Sequence, residues 1–186
     1  MGNRSILADP ANKEMQQKLN LKIKYRESFR PFAPSVLAED ASKYFNLEVE
    51  SPYMLLTADI KNEHKKEIPA DFYQQSMFNR LSVERSDFPS ITHLDFSSRV
   101  QTVSTEDNPK FHLLLQQYKE HTGHGMLINT SFNVRGEPIV CTPRDAYHCF
   151  MSTEMDLLVI ENFIYRKNEQ ISSNEKQQWK VNNVLD

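Results

Sequence analysis

The segment Lys22-Ile-Lys-Tyr-Arg-Glu-Ser-Phe-Arg30 places four cations within nine residues, immediately before Pro31. Arg offers a bidentate fork and Lys a compact point charge, and both suit phosphate oxygens. If the stretch is extended, Lys24, Arg26 and Arg30 share one side and could clamp a polyphosphate. A solvated basic edge paired with Glu27 would use the same residues. A second segment, Ile128-Asn-Thr-Ser-Phe-Asn-Val-Arg-Gly136, follows a short apolar run, and five of its nine side chains can hydrogen-bond. Beyond the carboxyl end of a strand, Asn129, Ser131 and Asn133 could hold a phosphate or a carbonyl oxygen. An ordinary turn built on Asn and Ser is the plainer alternative. The chain has four glycines and no GxGxxG or GxxxxGK[ST] pattern, so any phosphate must be held mainly by side chains.

Other residues carry weaker signals. Arg99 begins an alternating run, Arg-Val-Gln-Thr-Val, and could reach a ligand or end a strand. His93 and Asp95 would share a strand face; a surface hydrogen-bonded pair is the plainer reading and a metal pair the sharper one. His121 and His124 flank Gly123 at an expected helix end. Cys141 and Cys149 form no CxxC pair and are expected as buried thiols in a reducing cytoplasm. Tyr25, Phe29 and Phe132 could stack on an adenine ring or simply belong to the core. No metal site is expected.

These residues need elements to position them. Apolar Met15, Leu19 and Ile23 recur at intervals of four, which predicts a helix over 10–23. Pro31 and Pro34 make 26–34 extended or irregular, with Phe29, Phe32 and Ala33 anchoring its far end. A short helix is expected over 38–45 and a strand over 53–60. Residues 61–90 lack a clean period and are expected as a surface excursion. Strand-like runs follow at 91–96 and 99–104. Residues 109–121 carry Phe111, Leu114, Leu115 and Tyr118 at helical spacing. A buried strand is expected over 126–129. Thr142, Pro143 and Asp145 spell a helix start. One strand is expected over 156–165, then a polar tail over 168–186. Alternating helices and strands imply an α/β (α+β) fold around a mixed sheet.

The 186 residues suffice for one well-buried domain, and their net charge of −3 argues against a long polyanion as partner. Residues 1–30 hold seven Lys/Arg against three Asp/Glu, a basic pole that suits a small anion. No run of apolar residues is long enough to span a membrane. The opening Gly-Asn-Arg-Ser-Ile-Leu gives the expectation that the chain is a piece of a longer protein.

Five blocks resemble the C-terminal part of the NodU/CmcH-type O-carbamoyltransferases. They are Gly2-Asn-Arg-Ser-Ile-Leu-Ala-Asp-Pro10, Phe29-Arg-Pro-Phe-Ala-Pro-Ser-Val36, Arg99-Val-Gln-Thr-Val103, Leu127-Ile-Asn-Thr-Ser-Phe-Asn-Val-Arg-Gly-Glu-Pro-Ile-Val140 and Thr142-Pro-Arg-Asp-Ala146. The resemblance implies a YrdC-like fold, a twisted mixed sheet with flanking helices, over 11–167, with 1–10 a remnant of a preceding domain. It implies that ATP, with Mg2+, and carbamoyl phosphate form carbamoyl-adenylate here. A separate N-terminal, metal-binding domain would then pass the carbamoyl group to an acceptor hydroxyl. Lys24-Tyr25-Arg26 and Ser131-Phe132-Asn133 match the Lys-x-Arg and Ser-x-Asn patterns of YrdC-like proteins. The implied ligand contacts are Lys24, Arg26, Arg30, Arg99, Asn129, Ser131 and Asn133, with Lys24, Arg30, Arg99 and Ser131 serving the chemistry. The family has a glycine-containing stretch between His and Arg where this chain reads His93-Leu-Asp-Phe-Ser-Ser-Arg99, so Phe96 departs from the pattern and leaves the role of His93 the least secure. The competing readings are a non-catalytic nucleotide- or RNA-binding module, and a fragment that only docks its missing domain. Self-association through a surface that domain would cover stays open.

Overall fold

The computed structural model describes residues 2–170. The polar tail expected over 168–186 therefore lies almost entirely outside the described residues. In chain order the elements are β1 (Ser5–Ala8), α1 (Met15–Lys22), β2 (Pro34–Leu37), α2 (Ala41–Tyr44), β3 (Leu56–Asp59), α3 (Met77–Ser82), β4 (Ser97–Val103), α4 (Pro109–Thr122), β5 (Met126–Ser131), α5 (Pro143–Ser152), β6 (Leu157–Ile160) and β7 (Phe163–Arg166). The fold is mixed α/β. A five-stranded sheet runs in the order β1-β5-β2-β4-β3, and β6 pairs with β7 in a separate hairpin. β2 and β4 are parallel, while β5 and β3 run antiparallel to them. Among the described residues no helix is long and apolar enough to cross a membrane.

The described chain divides into two compact units, residues 2–16 with 29–130 and residues 17–28 with 131–170. The first contains the sheet. Val36, in its central strand, is fully buried, as expected of a residue flanked by strands on both sides. On one face, Leu37, Val103 and Leu127 pack with Phe111 and Leu115 of α4. That helix forms where its sequence signals put it. The Asn108 side chain accepts a hydrogen bond from Phe111 N, Pro109 sits in the first turn, and Gly123 closes the helix with φ 85°. In the second unit, α5 begins with a reciprocal capping box between Thr142 and Asp145. Cys149, Phe150, Val134, Val140 and Leu158 are buried there.

Four expectations are corrected. Residues 91–96 are a turn, not a strand. Phe96 N–H donates to His93 O at 3.1 Å and His93 N–H to Ser97 O at 2.9 Å. Phe96 takes φ 64°, a left-handed conformation costing a side-chain-bearing residue about 1–2 kcal/mol. That is the physical reason a glycine suits this stretch. Phe96 is held there by its carbonyl, which accepts from Ile60 N–H at 3.0 Å, and by Lys65, 5.2 Å from the ring centroid. Residues 156–165 do not form one strand, because Glu161 turns the chain at φ 53° into the β6–β7 hairpin. The strand expected over 53–60 is shortened by Met54, which takes φ 58°. Finally, Cys141 is exposed, whereas Cys149 is buried as expected.

Replacing Leu115, fully buried beneath the sheet, with Ala should lower unfolding free energy by about 2–5 kcal/mol. Leu113→Ala, on the exposed side of the same helix, should stay within about 0.5 kcal/mol. Chemical denaturation of both variants checks this.

Candidate functional site

The cation cluster is not extended. Helix α1 closes when Lys24 N–H bonds to Leu19 O at 2.8 Å and Arg26 N–H to Asn20 O at 3.0 Å. Tyr25 bridges these at φ 48°, and its hydroxyl donates to Ser152 O at 2.8 Å. The tight turn sends Lys24 inward and leaves it 6% exposed. Its ammonium reaches four oxygens: Ser131 O at 2.7 Å, Asn133 Oδ1 at 2.7 Å, Asn133 O at 2.9 Å and Ser131 Oγ at 3.1 Å. None belongs to a carboxylate. Burial, then the charge of Arg26, lowers the Lys24 pKa to about 8, so the group remains mostly protonated at neutral pH. Four oxygen dipoles favour that charged form.

The loop is itself fixed. Ser131 Oγ donates to Asn133 Oδ1 at 2.6 Å, and Asn133 Nδ2 donates to Glu137 O at 2.7 Å. Arg26 Nε donates to Asn20 Oδ1 at 2.6 Å, and Asn20 Nδ2 donates to Ser28 O at 3.1 Å. Asn20 is fully buried, so both ends of its amide hold the Lys-x-Arg turn. The second unit thus brings together Lys24, Arg26, Ser131 and Asn133. In the same unit, burial raises the Cys149 pKa to about 12, which leaves an unreactive thiol.

Asn129, Arg99 and Arg30 belong to the sheet-bearing unit. Asn129 is 4% exposed. Its Nδ2 donates to Ser35 Oγ and to Gln101 Oε1, both at 2.9 Å. Ser35 Oγ donates to Gln101 Oε1 at 2.5 Å. These three side chains tie together β5, β2 and β4. Ser35 lies opposite Gln101 and opposite Leu127, so alternation puts Arg99 and Asn129 on the same face of the sheet. Arg99 is exposed there, across from Thr57 of β3. Arg30 is exposed just before β2. Ser35, Gln101 and Asn20 are absent from the sequence-based candidates. Ser35 and Gln101 nevertheless lie inside two of the recognisable blocks, and a buried polar residue within such a block was the available signal.

His93 sits in the turn before β4, not on a strand face with Asp95. Burial lowers the His93 pKa. Asp95 instead accepts from Ser97 N and Oγ, at 3.0 and 2.7 Å. Among the described residues no cluster of three His, Cys, Asp or Glu side chains could hold a metal ion. Tyr25 is half-buried and Phe132 buried, while Phe29 is 49% exposed.

A family model described as the carbamoyltransferase C-terminus matches residues 1–167. The chain belongs to this family. The carbamoyltransferase domain is 53% identical over all 186 residues to an uncharacterised Synechocystis protein, sll1178, and covers 30% of that protein. It is 38% identical over 170 residues to the nodulation protein NolO of Bradyrhizobium diazoefficiens, covering 90% of this chain and 27% of NolO. It is 34% identical over 165 residues to the 3'-hydroxymethylcephem-O-carbamoyltransferase of Amycolatopsis lactamdurans, covering 88% of this chain and 27% of that enzyme. The carbamoyltransferase domain thus spans less than a third of the length of these relatives.

Gln101→Leu would leave the buried Ser35 hydroxyl and Asn129 amide without their shared acceptor. Unfolding free energy should fall by at least about 1–3 kcal/mol. Urea denaturation monitored by circular dichroism checks this.

Proposed function

We propose that the carbamoyltransferase domain binds Mg2+-ATP and carbamoyl phosphate and forms carbamoyl-adenylate, which the rest of the longer protein transfers to an acceptor hydroxyl. The observation that carries this is the Lys24 cage. A buried cation whose partners are all neutral oxygens lacks a counter-charge, and an anionic ligand supplies one. Ser131 Oγ makes the longest of the four contacts, so it is the partner a phosphate oxygen would replace. Two relatives support the wider reading, since one is named an O-carbamoyltransferase and the other a nodulation protein.

Two anions must meet, so charge neutralisation comes first. Water releases carbamate and inorganic phosphate from carbamoyl phosphate. A carbamate oxygen then bonds to the α-phosphorus of ATP, the bond from that phosphorus to the bridging β-phosphate oxygen breaks, and pyrophosphate leaves with the electron pair. In this scheme Lys24, Arg26 and Arg30 neutralise phosphates. Arg99 takes a further phosphate or the carbamoyl oxygen. Asn129, Ser131 and Asn133 orient oxygens. Asn129 suits that task because Ser35 and Gln101 fix its amide nitrogen, which sets the direction of its carbonyl. No side chain is required as a nucleophile; positioning and fixed dipoles do the work.

The reaction predicts isotope exchange between pyrophosphate and ATP that depends on carbamoyl phosphate. Lys24→Ala and Ser131→Ala should each slow exchange by about 30- to 1,000-fold, the usual effect of losing one preorganised polar contact. Exchange at the wild-type rate in both variants would remove these residues from the site.

A further inference from the structure

The β6–β7 hairpin of the second unit is apolar on both faces. Its strands read Leu157-Leu-Val-Ile160 and Phe163-Ile-Tyr-Arg166. A hairpin covered on one side alternates apolar inward with polar outward, whereas a near-continuous apolar run belongs to strands buried on both faces. Here only one face has a cover. Leu158 is buried where β6 packs on α5, and its cross-strand neighbour Tyr165 meets the Tyr147 ring at 6.2 Å.

The other face is open. Val159 lies opposite Ile164, and Leu157 lies opposite Arg166. Alternation therefore puts Leu157, Val159 and Ile164 together on the side away from α5. They are 49%, 62% and 63% exposed, and Phe163 at the tip is 64% exposed. Adjacent exposed apolar side chains of this kind mark an interaction surface, whereas single ones do not. Arg166 stands at the edge of the patch, a residue type enriched at interfaces. Among the described residues, β6 and β7 pair only with each other. Each strand thus keeps one open edge as well.

We propose that the outer face of this hairpin is the docking surface for the remainder of a longer protein of which this domain is one part. Two observations select that occupant. The match to sll1178 runs through all 186 residues yet covers only 30% of that protein, so most of such a chain lies outside this domain. The patch is also small. A free partner needs about 800 Å² a side, or roughly 20–30 residues, far more than these few side chains supply. A tethered partner arrives at a high effective concentration and can use a smaller apolar contact. The inference rests on the reading that this domain works within a longer protein. It does not depend on carbamoyl-adenylate chemistry.

Hydrogen exchange read by mass spectrometry tests it. The 186-residue chain is compared with a longer polypeptide in which it replaces the matching part of sll1178. Exchange over 157–166 should slow by at least about ten-fold in the longer polypeptide, because opening the hairpin then requires the contact to part as well. Ile164→Lys should reverse that protection, and at so exposed a position it should leave the Tm of the 186-residue chain unchanged. The matching segment of intact sll1178, measured in parallel, should show the same protection and decides the outcome if the longer polypeptide does not fold. Equal exchange with and without the remainder would overturn the proposal. So would a 186-residue chain that dimerises in sedimentation and becomes monomeric on Ile164→Lys, since a second copy would then be the occupant. Loss of pyrophosphate exchange with the hairpin still protected would remove the adenylate reading alone.

Discussion

A buried ammonium with only neutral oxygens around it organises the second unit. Lys24 closes the end of α1, and its side chain draws Ser131 and Asn133 into one tight loop. Hydrogen bonds to a charged group contribute about 1.5–3 kcal/mol each at best. They must offset the desolvation of a charge that no carboxylate compensates. A domain selected only for stability would gain from an acid at this position or from an apolar residue. The cation instead sits in a pocket of dipoles, where the proposed anionic ligand would supply the missing counter-charge. Asn20 extends the same logic by holding Arg26 from beneath.

The sheet-bearing unit solves a different problem. Asn129, Ser35 and Gln101 exchange hydrogen bonds across three strands in a nearly dry setting. A fully satisfied network in a low dielectric is rigid, and a partly satisfied one is costly. The same face changes character along its length. Leu37, Val103 and Leu127 meet α4 at one end, and Arg99, Gln101, Ser35 and Asn129 replace them towards the other. Apolar packing under the helix fixes the strands, and the polar end inherits that precision.

Much of this was legible in the sequence where the physics is local. Helices α4 and α5 announce themselves through Asn108–Pro109, Gly123 and Thr142–Pro143–Asp145, because caps depend on residues three or four apart. The pairing of Lys24 with Ser131 and Asn133 was legible through the family pattern, although the extended clamp was not. A left-handed Tyr25 folds the cluster inward, and no glycine marks the turn. The same blind spot explains the false strand at 91–96 and the missed hairpin at 161, where Phe96 and Glu161 adopt positive φ. Ile91 and Thr92 look like strand residues because they are buried. Their main-chain oxygens instead accept from side chains, Thr92 O from Arg85 and Ile91 O from Ser98. Ser35 and Gln101 escaped because their partners lie 28, 66 and 94 positions away along the chain, beyond any periodicity.

The most direct test of the Lys24 cage is the pH dependence of ATP affinity, measured by calorimetry between about pH 6.5 and 9.5. Only the protonated amine attracts phosphate, and its pKa in the free protein is about 8. A bound anion raises that pKa, so affinity should be constant below about pH 8 and then fall by up to about ten-fold per pH unit. Lys24→Met should bind more weakly and lose this fall. A flat wild-type profile, or the same fall in Lys24→Met, would contradict the claim that this buried ammonium meets the ligand.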